Sequence, residues 1–287
     1  MSRAAAPLRR ERPAPAPPTG EGREPLRFRW PAAVSLGLVS LVGVAAFGWP
    51  FVVSSPQALA HGQDAPWFFA VLLGLLALVV LAEIAAGGLD AKTVAVLGVL
   101  TAAGGALRVV SAGTAGLEPM FFLIVLAGRV LGRSLGFVVG ALALVTGAFL
   151  TGGVGPWLPF QMICMGWVGL GAALLPPLRG LPERLLLAGY GLVSGMLYGA
   201  AMNLWFWPFM GASAPQGAGF VPGADAATNL GHYAVFYVAT SLTWDLPRGL
   251  LTAALVLIAG RPVLGTLRRA VRRASFGAAP TFGETSP

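Results

Sequence analysis

The sequence predicts an all-α membrane protein with about eight transmembrane helices. Three observations carry that expectation. The chain is 56% hydrophobic and only 10% charged, where a soluble domain carries about 25% charged residues. Its mean hydropathy is +0.76, and its apolar residues fall into successive runs, most of them near the ~20 residues that cross a bilayer core. Its Lys and Arg residues lie almost entirely between these runs. A net charge of +8 would suggest nucleic acid as the partner of a soluble protein. Confined to short loops and tails, the same charge follows the bias of Lys and Arg toward cytoplasmic loops, and no nucleic acid is called for.

Residues 1–26 are rich in Pro, Ala, Arg and Glu with few large apolar residues, and read as a disordered basic tail. Arg27, Arg29 and Trp30 anchor a first span, about Pro31 to Val53. Ala58-Leu59-Ala60 resembles a signal-peptidase site, but the apolar run before it is too long and too far from the N-terminus for a signal peptide. An outer loop with His61 and Asp64 leads to a second span, about Trp67 to Ala86, with Glu83 near its inner end. These two spans form a separate extension, residues 27–88.

A turn at Gly87 to Lys92 opens the third span, about Thr93 to Val110. The fourth, about Glu118 to Val130, is short and reads as a tilted partner in a hairpin. The fifth, about Ser134 to Thr151, and the sixth, about Leu158 to Leu175, flank an uncharged turn rich in Gly, Pro and Trp, from Thr151 to Pro159. Gly136 and Gly140 form a G-x-x-x-G spacing, which lets helix backbones approach closely in lipid. The seventh span is about Arg184 to Trp205. Pro208 to Asn229 is a Gly- and Pro-rich loop long enough to act as a lid, expected to be mobile without a ligand. The eighth span is about His232 to Ala259, and residues 263–287 read as a basic, mostly disordered tail.

Charge orients these spans. With both ends inside, every Lys and Arg except Arg108 and Arg248 falls in an inner segment and none in an outer loop. The positive-inside rule then predicts a multi-pass membrane protein with both termini cytoplasmic.

Intramembrane charges are functional candidates by default. Arg108 and Glu118 face each other across a short outer loop, as an ion pair or as contacts for a polar ligand. Asp245 and Arg248 are expected near the middle of the eighth span, on one face at i, i+3, with Pro247 loosening the helix between them. They read as a buried structural pair, since a proton or ion relay would need further acids at that depth. Trp30 marks the inner interface; Trp49, Trp67, Trp157, Trp205 and Trp207 mark the outer one as an aromatic belt. The outer aromatics cluster beside Gln161, Asn203 and Asn229, a combination suited to a ring-bearing, hydrogen-bonding solute. The candidate substrate-binding set is Arg108, Glu118, Trp157, Gln161, Asn203, Trp205 and His232.

Ser194 and His232 invite comparison with a serine hydrolase, but Gly191-Leu192-Val193-Ser194-Gly195 lacks the glycine two before the serine. Cys164 is the single cysteine, so no disulfide forms within the chain. No paired histidines for a metal, no P-loop and no dinucleotide-binding glycine pattern is present. The reading is a protein that is not an enzyme, with no cofactor and no metal; if it drives transport, its ATPase is elsewhere.

The stretch Glu118 to Gly132, EPMFFLIVLAGRVLG, the GFVVG run that follows, and the GPWLPFQM turn at Gly155 to Met162 resemble the second to fourth helices of the S component, the membrane-embedded substrate-binding subunit of energy-coupling factor (ECF) transporters. The resemblance covers about residues 91–262 and implies a six-helix core preceded by the two-helix extension. It also implies capture of a vitamin-like small molecule at the outer face, with a transmembrane coupling subunit and two ATPase subunits as partners. That family carries a small-residue A-x-x-x-A repeat on its first core helix for docking to the coupling subunit. Here Gly98, Ala102 and Ala106 stand at those positions, Gly replacing the first Ala. A polytopic membrane enzyme and a secondary transporter are the alternatives, although the inverted repeats and midplane ion ligands usual in the latter are not visible.

Overall fold

The computed structural model describes residues 30–51, 91–111 and 116–275, with scattered helical positions between 70 and 81. The expectations for residues 1–26, His61, Asp64, Ala58-Leu59-Ala60, Trp67, Glu83 and residues 276–287 lie outside the described residues. Among the described residues the continuous helices are, in order, α1 (Trp30–Gly48, running into a 3-10 turn at Trp49–Phe51), α2 (Ala91–Val110), α3 (Met120–Leu131), α4 (Arg133–Thr151), α5 (Leu158–Leu174), α6 (Leu181–Phe206), α7 (Ala226–Thr240) and α8 (Leu242–Ser275). No strand occurs among the described residues.

Among the described residues, four helical stretches are long and apolar enough to cross a membrane: Ala91–Val110, Arg133–Thr151, Leu181–Phe209 and Leu242–Arg272. Ala33–Gly48, Met120–Leu131 and Leu158–Leu174 are apolar but shorter. The long helices turn Val99, Phe149, Leu197 and Ile258 outward, as suits helices surrounded by hydrocarbon.

The short α3 is the hub. Its 12 residues span only about 18 Å, yet Phe121, Ile124, Val125, Leu126 and Ala127 are completely buried. It packs against α2, α4, α5, α6 and α8, so protein rather than lipid surrounds it. The glycines foreseen at Gly136 and Gly140 lie where α4 meets α5. A Cβ on Gly140 would stand 2.3 Å from the Met165 carbonyl oxygen, and one on Gly169 would stand 2.2 Å from that of Gly136. Gly128 of α3 presses on the same point, 2.1 Å from the Gly169 oxygen by the same measure. Three backbones therefore meet at one place. Gly169→Ala should push them apart and lower stability by about 1–3 kcal/mol, the usual cost of overpacking. An unchanged thermal midpoint for the detergent-solubilised variant would refute this close approach.

Successive helices from α2 to α6 reverse direction and α8 runs antiparallel to α6, so their ends sort into two groups. At the basic end, Arg129 of α3 pairs with Glu183 of α6 at 2.8 Å, and Arg268 of α8 reaches the same carboxylate at 2.6 Å. Arg129 also donates to the carbonyls of Leu175 and Pro176, both at 2.8 Å, closing off the end of α5. The opposite, aromatic end gathers the last turn of α2, the loop before α3, and the ends of α5, α6 and α8 that carry the candidate site. α1 packs on α5: Phe47 meets Phe160 edge-on at 5.2 Å, and Trp167 Nε1 donates to Ser40 Oγ at 3.1 Å.

Three expectations change. The eighth span, expected as one helix over His232–Ala259, is two helices broken at Ser241. Ser241 bonds backward and forward, its N–H donating to the Tyr237 carbonyl at 2.9 Å while its own carbonyl accepts from Trp244 and Asp245. Pro247 follows shortly after, where its ring and missing N–H disfavour a continuous helix. At the other end, α8 runs past Ala259 through Pro262 to Ser275, into the stretch expected as a disordered tail. Leu264 and Leu267 are buried there, and Arg268 is tied to Glu183. Finally, Trp207 is not a belt residue. It is completely buried, and its Nε1 donates to the Ala218 carbonyl at 2.6 Å.

Candidate functional site

The break at Ser241 decides where the buried charges fall. Because α8 starts at Leu242, Asp245 and Arg248 occupy its first two turns, not the middle of a span. Both are buried, at 2% and 8% exposure. Their side chains pair directly, and Arg248 Nη2 also reaches Glu118 Oε1 at 3.4 Å. The guanidinium lies near the rings of Phe121 and Tyr198, 5.5 and 5.3 Å from their centroids, within cation–π range. Gly199 lets α6 come this close, since a Cβ there would overlap the Asp245 carboxylate.

This arrangement revises two readings. Glu118 pairs with Arg248 and not with Arg108. Asp245 and Arg248 are not an isolated pair, because Glu118 brings a second acid to them. Two carboxylates share one guanidinium, and two polar atoms are left over. Asp245 Oδ2 and Arg248 Nε are buried without a hydrogen-bond partner among the described residues. The Tyr237 hydroxyl is within hydrogen-bonding reach of the Asp245 carboxylate as well as of the Met196 carbonyl at 3.3 Å. Each unsatisfied buried polar group costs about 1–3 kcal/mol.

Arg108, Trp157, Gln161 and Trp205 form a second group at the same end. Arg108 Nη2 donates to Gln161 Oε1 at 3.3 Å. Trp157 lies one turn before Gln161 and donates from Nε1 to the Gly153 carbonyl at 3.1 Å. Its ring meets Trp205 edge-on at 6.3 Å, and Trp205 continues the cluster to Phe160 at 5.8 Å and Phe209 at 6.0 Å. Trp157 remains 37% exposed, which leaves its ring accessible.

Asn203 and His232 have structural partners. Asn203 Nδ2 donates to Ser241 Oγ, holding the break between α7 and α8 against α6. His232 donates from Nδ1 to the Gly219 carbonyl at 2.8 Å and so staples the 208–225 segment. That segment, expected as a mobile lid, is pinned at several points. Trp207 packs edge-on to Phe220 at 5.3 Å and to Tyr233 at 5.2 Å. The Asn229 side chain both accepts from the Val221 N–H and donates to the Val221 carbonyl, each at 3.0 Å. Asp225 caps α7, accepting from the N–H groups of Ala227 and Thr228 and from the Thr228 hydroxyl. The Thr228 hydroxyl, then its N–H, holds the Asp225 carboxyl below the usual carboxylate range. The cap is complete above that range and is lost as pH falls through the lowered value.

Set against family models, curated proteins and solved structures, the chain matches none. The site therefore rests on its own geometry. It has an aromatic ledge on α5 and α6, a buried Asp245–Arg248 pair on α8 with the partly exposed Glu118 at its edge, and a pinned segment between α6 and α7. Sequence reading missed Tyr198, Phe121, Asp245 and Arg248 as members. The available signal was two charges flanking Pro247 in an apolar run; what was lacking was the break that carries them to the aromatic end. Among the described residues no group of three or more His, Cys, Asp or Glu is placed to hold a metal ion.

Proposed function

We propose that this chain is a membrane-embedded solute-binding subunit of the S-component type, which takes up a vitamin-like small molecule at the aromatic end of its bundle. The observation that carries the reading is the Glu118–Arg248–Asp245 cluster, in which Asp245 and Arg248 are buried and Asp245 Oδ2 and Arg248 Nε are unpartnered among the described residues. Buried polar atoms in a native protein are ordinarily paired, and here a ligand with one donor and one acceptor would complete them. Trp157 and Trp205 offer ring faces beside it, and the Arg108–Gln161 pair offers further hydrogen bonds. Ligand burial against such groups needs no covalent chemistry and no cofactor.

In this reading the bundle is an eight-span protein of the bacterial inner membrane, with a six-helix core over residues 91–262 and both termini cytoplasmic. The basic end faces inward, in line with the positive-inside rule. An ECF coupling subunit and two ATPase subunits would supply the motor. Gly98, Ala102 and Ala106 are all exposed on α2, leaving a small-residue face on which a partner helix could pack closely. The two acids around one buried arginine support a second reading, a secondary transporter coupled to an ion gradient.

Purification from the host membrane in mild detergent tests the proposal. The expected result is co-purification of a coupling subunit, of ATPase subunits and of one small molecule per chain, seen by native mass spectrometry. Trp157→Ala should weaken retention of that molecule about tenfold, given the worth of a stacked ring, without changing assembly. A chain that turns over a compound unaided would be an enzyme. One that accumulates solute in liposomes on an ion gradient alone would be a secondary transporter. Either result overturns the S-component reading.

A further inference from the structure

At the basic end, away from the site above, a cavity of about 330 Å³ opens between the start of α6 and the last turns of α8. That volume lies at the lower end of small-molecule pockets, roughly 300–1,000 Å³. Its lining is Gly180, Leu181, Glu183, Arg184, Arg261, Leu264 and Arg268. Three arginines and one acid line the space. The acid is already engaged, since Glu183 Oε1 accepts from both Arg268 and Arg129. Arg184 uses Nη1 on the Leu257 carbonyl at 3.1 Å, which holds the side chain along α8 while its other nitrogens remain. Arg261 is exposed and has no hydrogen bond or ion pair among the described residues.

The charge balance at this point is unfavourable as it stands. Arg129 and Arg268 both hold the one carboxylate, and Arg184 and Arg261 line the same space with no acid of their own. Like charges gathered in one place repel, and a bound anion would offset them. Guanidinium groups match phosphate oxygens with paired, parallel hydrogen bonds. The first turn of α6 also opens here without a side-chain cap on its N–H groups, adding donors of the same sign.

We propose that this cavity binds a phosphoryl oxyanion, held by Arg184, Arg261 and Arg268. The chemistry admits two sources: the phosphodiester headgroup of an anionic phospholipid, or free inorganic phosphate. Basic pockets between membrane helices do hold lipid headgroups. The inference does not depend on what the aromatic end binds, and the two can be tested apart.

The full chain, delipidated in detergent, would be exposed in separate arms to phosphatidylglycerol, to zwitterionic phosphatidylcholine and to inorganic phosphate. Lipid adducts are read by native mass spectrometry and phosphate by calorimetry. Arg261→Gln is the main variant, because Arg261 makes no contact the fold depends on; Arg184→Gln is the second. Saturable binding of phosphatidylglycerol over phosphatidylcholine, weakened about tenfold by Arg261→Gln, assigns the site to a lipid headgroup. Saturable binding of inorganic phosphate, weakened likewise while the two lipids bind alike, assigns it to the free ion. Equal retention of both lipids with no phosphate binding overturns the proposal, as does any binding that both variants leave unchanged.

Discussion

Arg248→Met should lower the stability of the protein by about 3–5 kcal/mol, the range seen when one partner of a buried ion pair is removed. The reason lies in what remains. Asp245 is 2% exposed, its carboxylate is wedged against the Gly199 backbone, and one of its oxygens already lacks a partner. Without Arg248 that charge has no counter-ion. Glu118 is different: 31% of its side chain is exposed, so it can turn to solvent. Glu118→Gln alone should therefore cost no more than about 1 kcal/mol, as for exposed pairs. Adding Asp245→Asn to Arg248→Met should recover most of the loss, and the double-mutant cycle isolates the pair. Thermal unfolding in detergent gives the comparison. An Arg248→Met protein as stable as the parent would mean that Asp245 finds water or another partner, and that the cluster is not the closed unit described here.

Trp207→Ala should release the segment between α6 and α7. Truncating a buried Trp costs about 3–5 kcal/mol, and Trp207 is completely buried. The loss is local, because Trp207 belongs to a small cluster with Ala218, Tyr233 and Phe236, apart from the main core. The remaining ties, from Asn229 to Val221 and from His232 to Gly219, anchor only part of the segment. Amides of residues 208–225 should exchange faster, and subtilisin should nick there first, while the rest of the bundle keeps its protection. Trp207→Phe keeps the ring contacts and loses the bond to the Ala218 carbonyl, so it should cost only about 0.5–1.5 kcal/mol. Unaltered exchange across 208–225 in Trp207→Ala would show that the segment is held by something else.

Much of the architecture was legible in the chain. The helices over Ala91–Val110, Arg133–Thr151, Leu158–Leu174 and Leu181–Phe206 lie within a few residues of their expected limits, because runs of apolar residues bounded by Gly, Pro or charge report burial locally. The close approach at Gly136 and Gly140 was legible for a similar reason: a glycine repeat inside an apolar run has few other uses. At the candidate site, the grouping of Arg108, Trp157, Gln161 and Trp205 at one end followed from counting helix ends.

What the tertiary structure decided were the partners. Glu118 joins Arg248 across 130 positions of sequence and Arg108 joins Gln161 across 53; no local average of hydropathy or charge can choose between such pairings. Trp207 looked like its neighbour Trp205, and only the fold of residues 208–225 over it made one a core residue and left the other on an aromatic ledge. The break at Ser241 had a local cue in Pro247, but a proline permits a break without placing it. Asn203, reaching across from α6, holds the chain at that residue. Sequence by itself determined that this is an all-helical chain with helices long and apolar enough to cross a membrane, basic at one end of its bundle and aromatic at the other. Which charges meet inside was left to packing, since a buried charge takes whichever counter-charge the fold brings within reach.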